Sequence, residues 1–328
     1  MDYSLKDTYL RGNKAMPITI DTTPIQKLNM RLNDNSIFIK RDDLIPFSFG
    51  GNKARKAKLF FEDLESQKSD CVVTYGSSSS NHCRIVANLA ASKGLKCIII
   101  SPVETSKTTF NSQMMELFGA EIISCKVSEV KDTIDGELSR LTKEGYKPYF
   151  IEGGGHGNLG TKAYIEAYEE IRTFELENDI KFDYIFHTSG TGTTQAGLVC
   201  GKLINRDDRQ IIGISNARKN PYGGQVVLDS VNSYLGYIGE KSVGSEAIDF
   251  IDDYVLDGYG AYNNEVLEVI REVLIKDGIP LDTTYTGKGF WGMKEYIKEN
   301  QIAGKNILFI HTGGTPLFFD DLEVLVND

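Results

Sequence analysis

Short apolar runs alternate with amphipathic segments along most of the chain. The runs are rich in β-branched residues, as in Cys71–Tyr75, and the segments between them repeat apolar residues at helical spacing. The pattern predicts strands at residues 36–40, 71–75, 96–101, 121–125, 148–151, 184–187, 211–215 and 307–311. It predicts helices at residues 54–64, 81–91, 111–118, 130–143, 161–173, 194–203, 263–275 and 287–299. Apolar strands that alternate with helices are typical of parallel sheets covered on both faces.

The alternation restarts after Gly160, which divides the predicted elements into two groups. A chain of 328 residues is long enough to build two lobes, each with its own core. We therefore expect an α/β fold with two open parallel-sheet lobes and a cleft between them. The small lobe is predicted at residues 54–159, inserted into a large lobe of residues 1–53 and 160–328.

The composition narrows the classes of function. Hydrophobic residues make up 41% of the chain and charged residues 25%, which is ordinary for a globular enzyme. The net charge of −10 speaks against nucleic acid or an anionic membrane as a partner, and no apolar run is long enough to span a bilayer. The first residues do not resemble a signal peptide, and the five cysteines lack paired spacing. We expect a reduced, cytoplasmic protein in which basic pairs such as Arg55 and Lys56 lie on solvated helix faces.

Lys53 is the first candidate for chemistry. Gly50 and Gly51 lead from a predicted strand into this lysine, which stands at the start of a predicted helix. Partial burial and the positive end of the helix dipole would both lower the pKa of its amine and make it nucleophilic. Taken alone, the motif is better explained by a solvated lysine in the first helical turn.

A Gly/Thr-rich segment follows the predicted strand 184–187 and runs into a helix. Small residues at a helix N-terminus leave backbone N–H groups open to a phosphate. The segment is not a dinucleotide fingerprint, because Gln195 replaces the third glycine and no acid ends the next strand. It also lacks the Gly-Lys-Ser/Thr ending of a P-loop. A phosphate without a nucleotide is expected at Gly190, Thr191, Gly192, Thr193 and Thr194.

Further polar residues stand where predicted strands end. Residues 76–82 contain four serines between a strand and a helix, and these serines could cap the helix or bind a carboxylate. All four histidines also lie at or just after strand ends, where parallel sheets bind ligands, although each could instead stabilise a turn. They are His82, His156, His187 and His311. Their spacing does not suit zinc, and no metal site is expected.

A reactive lysine, a phosphate loop, a serine-rich loop and a late Thr-Gly-Gly together suggest pyridoxal 5'-phosphate as the cofactor. Seven motifs occur in the order found in one known family, and they cover nearly the whole chain. They are IKRDDL at 39–44, GGNK at 50–53, SNHCR at 80–84, TGTTQAG at 191–197, GYG at 258–260, YTGK at 285–288 and HTGG at 311–314. The chain thus resembles the 1-aminocyclopropane-1-carboxylate deaminase / D-cysteine desulfhydrase family, a branch of the fold type II pyridoxal phosphate enzymes.

The resemblance implies roles for individual residues. Lys53 would bind the cofactor covalently and move the proton, while Asn81 would hold the ring hydroxyl and Thr286 would face the pyridine nitrogen. Residues 190–194 would hold the phosphate. The substrate would contact Ser79, Ser80, His82, His156, Tyr259 and Tyr285, of which Ser80, Tyr259 and Tyr285 would be catalytic together with Lys53. Ser79 and His156 depart from the residues common in the family, which leaves the substrate open.

The activity implied by the resemblance is α-proton removal and β-elimination from a small amino acid, giving ammonia, a 2-oxo acid and the leaving group. Ring opening of 1-aminocyclopropane-1-carboxylate is the alternative, while β-replacement and cofactor binding without turnover are more distant. Thr286 favours elimination, because the ring-opening deaminases carry glutamate at this position and the D-cysteine desulfhydrases a neutral threonine. D-Cysteine or a related β-substituted amino acid is therefore the expected substrate, and a homodimer is the expected assembly.

Overall fold

The computed structural model describes residues 22–327, and in this range ten strands form two sheets. The strands are β1 Ile25–Leu32, β2 Asn35–Lys40, β3 Cys71–Tyr75, β4 Lys96–Pro102, β5 Glu121–Cys125, β6 Pro148–Ile151, β7 Tyr184–Ser189, β8 Gln210–Ser215, β9 Asp249–Ile251 and β10 Asn306–Ile310. The helices are α1 Asn52–Ser66, α2 Asn81–Ser92, α3 Phe110–Leu117, α4 Val130–Lys143, α5 Asn158–Asn178, α6 Thr193–Asn205, α7 Tyr222–Tyr237, α8 Asn264–Asp277, α9 Thr286–Glu299, α10 Thr315–Asp320 and α11 Leu322–Asn327. Within this part of the chain, no helix is long and apolar enough to cross a membrane.

The smaller sheet has the order β5-β4-β3-β6, and all its strands are parallel. Its strand β3 is buried along most of its length, as expected for a continuous apolar run between two helical layers. Helices α1, α2 and α3 contribute to the core on one face, around Phe61 and Ile99, and α4 covers the other face around Leu141. The limits proposed for the small lobe, residues 54–159, stay a prediction.

The larger sheet has the order β1-β2-β10-β7-β8-β9. Strands β2, β10, β7, β8 and β9 are parallel, with Phe309 of β10 opposite Ile39 of β2 and Phe186 of β7. One face packs against α5, α6 and α7 around Tyr164, and the other packs against α8 and α9 around Phe290. The predicted fold, two α/β regions built on parallel sheets, is confirmed.

Two of the elements missed by the sequence patterns, β1 and α7, have local explanations. Strand β1 pairs antiparallel with β2 at the sheet edge, and it alternates buried residues, Leu28 and Met30, with exposed ones, Asn29 and Arg31. Such alternation is typical of a half-exposed antiparallel strand, so a search for continuous apolar runs does not find it. Helix α7 was missed because Pro221 and two glycines near its start are typical of a turn.

A buried ion network joins the end of β2 to α1 and α5. The Asp42 carboxylate accepts from Arg55 Nε at 2.8 Å and from the Tyr164 hydroxyl at 2.8 Å. Arg55 also pairs with Glu170 at 2.6 Å, as does Lys40 at 2.6 Å. Although burial alone would raise it, the Arg55 guanidinium holds the pKa of Asp42 well below its usual value. The expectation that Arg55 lies on a solvated face is wrong, because carboxylates inside the protein compensate its charge.

Replacing Arg55 by methionine leaves the buried Asp42 carboxylate without its main partner. We expect the free energy of unfolding to fall by roughly 3–5 kcal/mol at pH 7, measured by urea denaturation. Because the pKa of Asp42 is lowered in the folded protein, its contribution is present above the pKa of unfolded aspartate. The difference between wild type and variant should therefore shrink as the pH falls below about 4.

The control for this variant is Arg172→Met on α5. Arg172 is partly exposed and pairs with Glu169 at 3.1 Å, so its loss should cost at most about 1 kcal/mol. Equal losses for the two variants would show that the buried network does not stabilise the junction of β2, α1 and α5.

Candidate functional site

A cavity of about 950 Å³ lies between the two sheets. Its wall includes the residues that follow the carboxyl ends of β3, β4, β6, β7, β8 and β10, which is where open parallel sheets bind ligands. The structure brings the predicted site residues together here, and all of them line the cavity except Ser79, Thr193 and Thr286.

Lys53 is the second residue of α1, and it lines the cavity. Gly51 precedes the helix with a φ of 95°, and a Cβ there would lie 2.6 Å from the Thr312 carbonyl oxygen, so this turn requires glycine. The Lys53 amine donates to the Gly154 carbonyl at 3.0 Å. Burial and, next, the charge of Arg218 lower the pKa of Lys53 to about 8. A neutral, nucleophilic amine is therefore available near neutral pH.

The Gly/Thr-rich segment forms the turn from β7 into α6. Gly192 precedes the helix with a φ of 101°, and no side chain caps it. The Thr193 hydroxyl accepts from Lys56 Nζ at 2.8 Å, and the Thr194 hydroxyl accepts from Asn52 Nδ2 at 3.1 Å. The first N–H groups of an uncapped helix and a nearby ammonium together suit a phosphate.

Lys56 is a buried cation beside the phosphate turn that the sequence patterns did not reveal. It lies one turn after Lys53 and is 1% exposed, so the expectation of a solvated face is wrong here too. Burial, followed by the charge of Lys53, holds the pKa of Lys56 well below its usual value. Within residues 22–327 its amine contacts the Thr193 hydroxyl and the ring face of Tyr164, at 5.9 Å from the centroid. A phosphate would supply the counter-ion that these neutral groups do not.

The serine-rich loop places Ser80 and Asn81 at the N-terminus of α2. The Ser80 hydroxyl caps this helix, accepting from a backbone N–H of the first turn at 3.2 Å. The Asn81 Oδ1 atom accepts from Asn111 Nδ2 at 3.0 Å, which leaves the amide N–H groups of Asn81 to donate. The Ser79 hydroxyl pairs with that of Ser77 at 3.2 Å, and of these two serines Ser77 lines the cavity.

Tyr259 and Tyr285 meet at the cavity wall. Their hydroxyl oxygens lie 2.5 Å apart, and their rings pack edge to face with centroids 5.8 Å apart. Burial and then the neighbouring Tyr259 raise the pKa of Tyr285 well above its usual value. Tyr285 therefore stays protonated and can donate a hydrogen bond or a proton.

Thr286 is fully buried behind the cavity wall. Its hydroxyl donates to Asp282 Oδ2 at 2.7 Å and accepts from the Asp282 N–H at 3.0 Å. Burial raises the pKa of Asp282 to about 6, although hydrogen bonds from Thr286 and Tyr285 oppose the shift. Thr312 of the late Thr-Gly-Gly motif lines the cavity. A role for Thr286 at the pyridine nitrogen stays a prediction.

Two of the four histidines line the cavity. His82 lies 2.8 Å from the Thr74 hydroxyl, and burial holds the pKa of His82 well below its usual value, so the ring is neutral. His156 donates through Nδ1 to a backbone carbonyl of the phosphate turn at 3.2 Å. His187 and His311 are buried at the ends of their strands, where each bonds a backbone carbonyl. Among the described residues, no group of side chains could hold a metal ion.

These residues fit pyridoxal 5'-phosphate. A Cβ at Gly154 would lie 2.6 Å from the Thr191 methyl group and 3.3 Å from Lys53 Nζ, so glycine keeps the space beside the amine open. Lys56 and the start of α6 would hold the phosphate, and Asn81 has donors for a ring hydroxyl. When bound, this cofactor withdraws electrons from the α-carbon of an amino acid.

The chain is similar to proteins of known sequence over most of its length. Residues 18–313 match the family described as "Pyridoxal-phosphate dependent enzyme". A D-cysteine desulfhydrase of Serratia proteamaculans (strain 568) is 32% identical over 314 residues, which cover 90% of this chain and 92% of the relative. The D-cysteine desulfhydrase of Yersinia enterocolitica is 33% identical over 310 residues, which cover 91% and 93%.

Solved structures agree as well. A crystal structure of an ACC deaminase homologue shares 31% identity and a TM-score of 0.85 with this chain, and the match covers 94% of each chain. An O-ureido-L-serine synthase, at 16% identity and a TM-score of 0.67, shares the fold over 94% of this chain and 95% of its own. The family match confirms the predicted cofactor, pyridoxal 5'-phosphate. The chain belongs to the family of pyridoxal-phosphate dependent enzymes.

Proposed function

We propose that this pyridoxal phosphate-dependent lyase removes the β-substituent of a small amino acid, with D-cysteine as the substrate and pyruvate, ammonia and sulfide as products. The observation that carries the proposal is a single cavity that joins the Lys53 amine, the N-terminus of α2 and the Tyr259–Tyr285 pair. The relatives at 32% and 33% identity, which are D-cysteine desulfhydrases, support the choice of substrate.

Different residues of the cavity remove the α-proton, bind the substrate carboxylate and contact the leaving group. The Lys53 amine accepts the α-proton, because its lowered pKa suits a base near neutral pH. The substrate carboxylate binds at the N-terminus of α2, where Ser77 and Ser80 line the wall and the helix dipole favours an anion. Tyr285, which its raised pKa keeps protonated, donates a hydrogen bond to the leaving sulfur but keeps its proton, so that sulfur leaves as hydrosulfide; Tyr259 is the hydrogen-bond partner of Tyr285.

Ring opening of 1-aminocyclopropane-1-carboxylate is the second candidate, and one observation favours it. The Thr286 hydroxyl donates its hydrogen bond to the Asp282 carboxylate. The Thr286 oxygen can therefore only accept a hydrogen bond from any further group. If Thr286 faces the pyridine nitrogen, it would favour the protonated ring, which is the form that stabilises a carbanion best. In that case the presence of threonine at position 286 speaks less strongly against ring opening than the sequence alone suggests.

The test compares kcat/KM for D-cysteine, β-chloro-D-alanine, L-cysteine and 1-aminocyclopropane-1-carboxylate, with pyruvate, 2-oxobutanoate and sulfide measured separately. The proposal predicts that D-cysteine yields pyruvate and sulfide in equal amounts and exceeds the cyclopropane substrate at least tenfold. A higher kcat/KM for the cyclopropane substrate would favour the second candidate. Cofactor binding without turnover of any of the four substrates would reject both.

The proposed enzyme is a cytoplasmic homodimer. All five cysteines are free, and Cys71, Cys83, Cys97 and Cys200 are buried, which suits a reducing compartment. Apolar side chains are exposed beside one another on α3 and α10, where the rings of Phe110 and Phe319 lie 6.5 Å apart. Aromatic residues are enriched in protein interfaces relative to the rest of the surface, and we assign this patch to a second copy of the chain.

A negative charge introduced into this patch by mutation should dissociate the dimer. Phe319→Glu is expected to shift the protein from dimer to monomer in sedimentation velocity, because a carboxylate in an apolar interface is costly to desolvate. Leu176→Glu is the control, since Leu176 is 83% exposed on α5, away from α3 and α10, and it should leave the dimer intact. A monomeric wild type, or a dimeric Phe319→Glu variant, would contradict the assignment.

A further inference from the structure

The large-sheet wall of the cavity carries a cation without a partner. Arg218 follows β8 and lines the cavity. Within residues 22–327 none of the ion pairs involves its guanidinium. In the same range, its Nη1 atom is shielded from solvent and has no hydrogen-bond partner. One nitrogen of the Arg218 guanidinium is therefore shielded from water while, among residues 22–327, no anion compensates the charge.

Neutral groups hold Arg218 in place. The Ser215 hydroxyl accepts from the Ala217 N–H at 3.3 Å and donates to the Arg218 carbonyl at 2.6 Å, which fixes the turn after β8. The guanidinium carbon lies 5.4 Å from the centroid of the Tyr222 ring. The backbone of Arg218 is thus fixed by Ser215 and its guanidinium packs beside Tyr222, and the planar N–H groups match a carboxylate or sulfonate.

The two other anions of the reaction are assigned to other groups of the cavity in the proposed function. The phosphate has the start of α6 and Lys56, and the substrate carboxylate has the start of α2. Arg218 belongs to the larger sheet and α2 to the region of the smaller one, so the two lie on different walls of the cavity. Arg218 and Lys53 line the same cavity, and the charge of Arg218 contributes to the lowered pKa of Lys53. The part of the substrate left to meet Arg218 is its side chain.

We propose that Arg218 forms a subsite for negative charge on the substrate's β-carbon, so that the enzyme prefers β-substituents that carry a negative charge or acquire one on leaving. This inference rests on the proposed function. As Lys53 takes the α-proton, the electrons of the C–H bond form the Cα–Cβ double bond. The electrons of the Cβ–S bond leave with sulfur, and the hydrosulfide so formed pairs with the Arg218 guanidinium.

Charge at the subsite can be tested without turnover. D-Aspartate and D-asparagine have nearly the same shape and differ in the charge of the group on the β-carbon. Their binding to the holoenzyme is measured by calorimetry, together with the L-enantiomers. For the enantiomer that binds, wild type should favour aspartate roughly 10- to 150-fold, as one charge-assisted pair of hydrogen bonds provides. Arg218→Gln should remove this preference, and Arg218→Lys should keep part of it.

Three controls separate this role from others. Lys219→Gln, at the exposed neighbouring position, should bind both ligands as wild type does. The affinity of the Arg218→Gln apoprotein for the cofactor, measured at pH 10 where the effect of Arg218 on the Lys53 pKa matters little, should stay at the wild-type value, and the melting temperature should not fall below that of wild type. A loss of cofactor affinity would assign Arg218 to the phosphate and overturn the proposal. Equal weakening of aspartate and asparagine, or no preference in wild type, would overturn it as well.

The binding experiment tests the Arg218 subsite separately from the proposed elimination activity. If the holoenzyme releases no sulfide from D-cysteine but still prefers aspartate through Arg218, the subsite stands and the proposed substrate fails. If sulfide is released at the same rate by wild type and by Arg218→Gln, and wild type shows no charge preference, the proposed function stands and the subsite fails.

Discussion

The Lys53→Ala protein should be colourless when it is purified with the cofactor supplied, and its turnover should fall below detection. The change removes both the covalent attachment point and the base, and a positioned base alone contributes about 10²- to 10⁴-fold. Lys58→Ala is the matched control, because Lys58 lies on the same helix and pairs with Glu62 at 3.6 Å. It should keep both the visible absorption band and the activity. A coloured, active Lys53→Ala protein would contradict the assignment of Lys53.

The lowered pKa of Lys53 adds a pH dependence to this prediction. An ordinary lysine is unprotonated only well above pH 10, whereas the Lys53 amine loses its proton around pH 8. The rate at which the apoprotein takes up the cofactor should therefore rise between pH 7 and pH 9 and then level off. Stopped-flow absorbance at several pH values measures this rate. A rate that keeps rising to pH 10 would show that burial and Arg218 do not lower the pKa.

The second large effect is expected at Lys56. Lys56→Met should weaken cofactor binding by at least tenfold, since a charge-assisted hydrogen bond to the phosphate is worth on the order of 1.5–3 kcal/mol. The same change should raise the melting temperature of the apoprotein, because it removes an amine whose burial disfavours its charge. A loss of cofactor affinity together with a gain in apoprotein stability would indicate that the buried Lys56 amine serves to bind a ligand.

Fluorescence titration and calorimetric melting of the apoprotein measure these two quantities. Lys58→Met should change neither, because Lys58 is partly exposed and its charge is solvated. A Lys56→Met apoprotein that melts lower than wild type, with unchanged cofactor affinity, would make Lys56 a structural residue only.

The fold was largely predictable because its strands are continuous apolar runs. Strands β3 and β7 are covered by helices on both faces, so each contains a run of consecutive apolar residues, at 71–73 and 184–186, that the pattern reveals. Strand β1 lies at an edge with one face exposed. Its polar residues interrupt the apolar run, so the pattern does not predict this strand. The first 21 residues of the predicted large lobe lie outside the described part of the chain.

The site was predictable where local geometry demands a particular residue. The turn at Gly51 needs glycine because the Thr312 carbonyl lies against it, and such positions leave a visible motif. The burial of Lys56 and Arg55 is not visible as a motif, because residues far away in the sequence decide whether a charged side chain on a helix is buried. The Lys56 partner, Thr193, lies 137 residues away, and Arg55 meets Glu170 across 115 residues.

The substrate was the least predictable feature for the same reason. A sequence shows that Ser79 and Thr286 stand in recognisable motifs, but it does not show where their hydroxyl groups point. In the structure the Ser79 hydroxyl bonds Ser77, and that of Thr286 bonds Asp282. Arg218, which stands in no motif, lines the cavity instead.

The central claim is that Lys53 holds the cofactor in the cavity between the two sheets. Sodium borohydride reduces the bond between the cofactor and its lysine, so that peptide mapping by mass spectrometry can locate the modified residue. The reduced wild-type protein should carry one cofactor per chain, on the peptide that contains Lys53. Modification of Lys56 or another lysine, or of none, would contradict the claim.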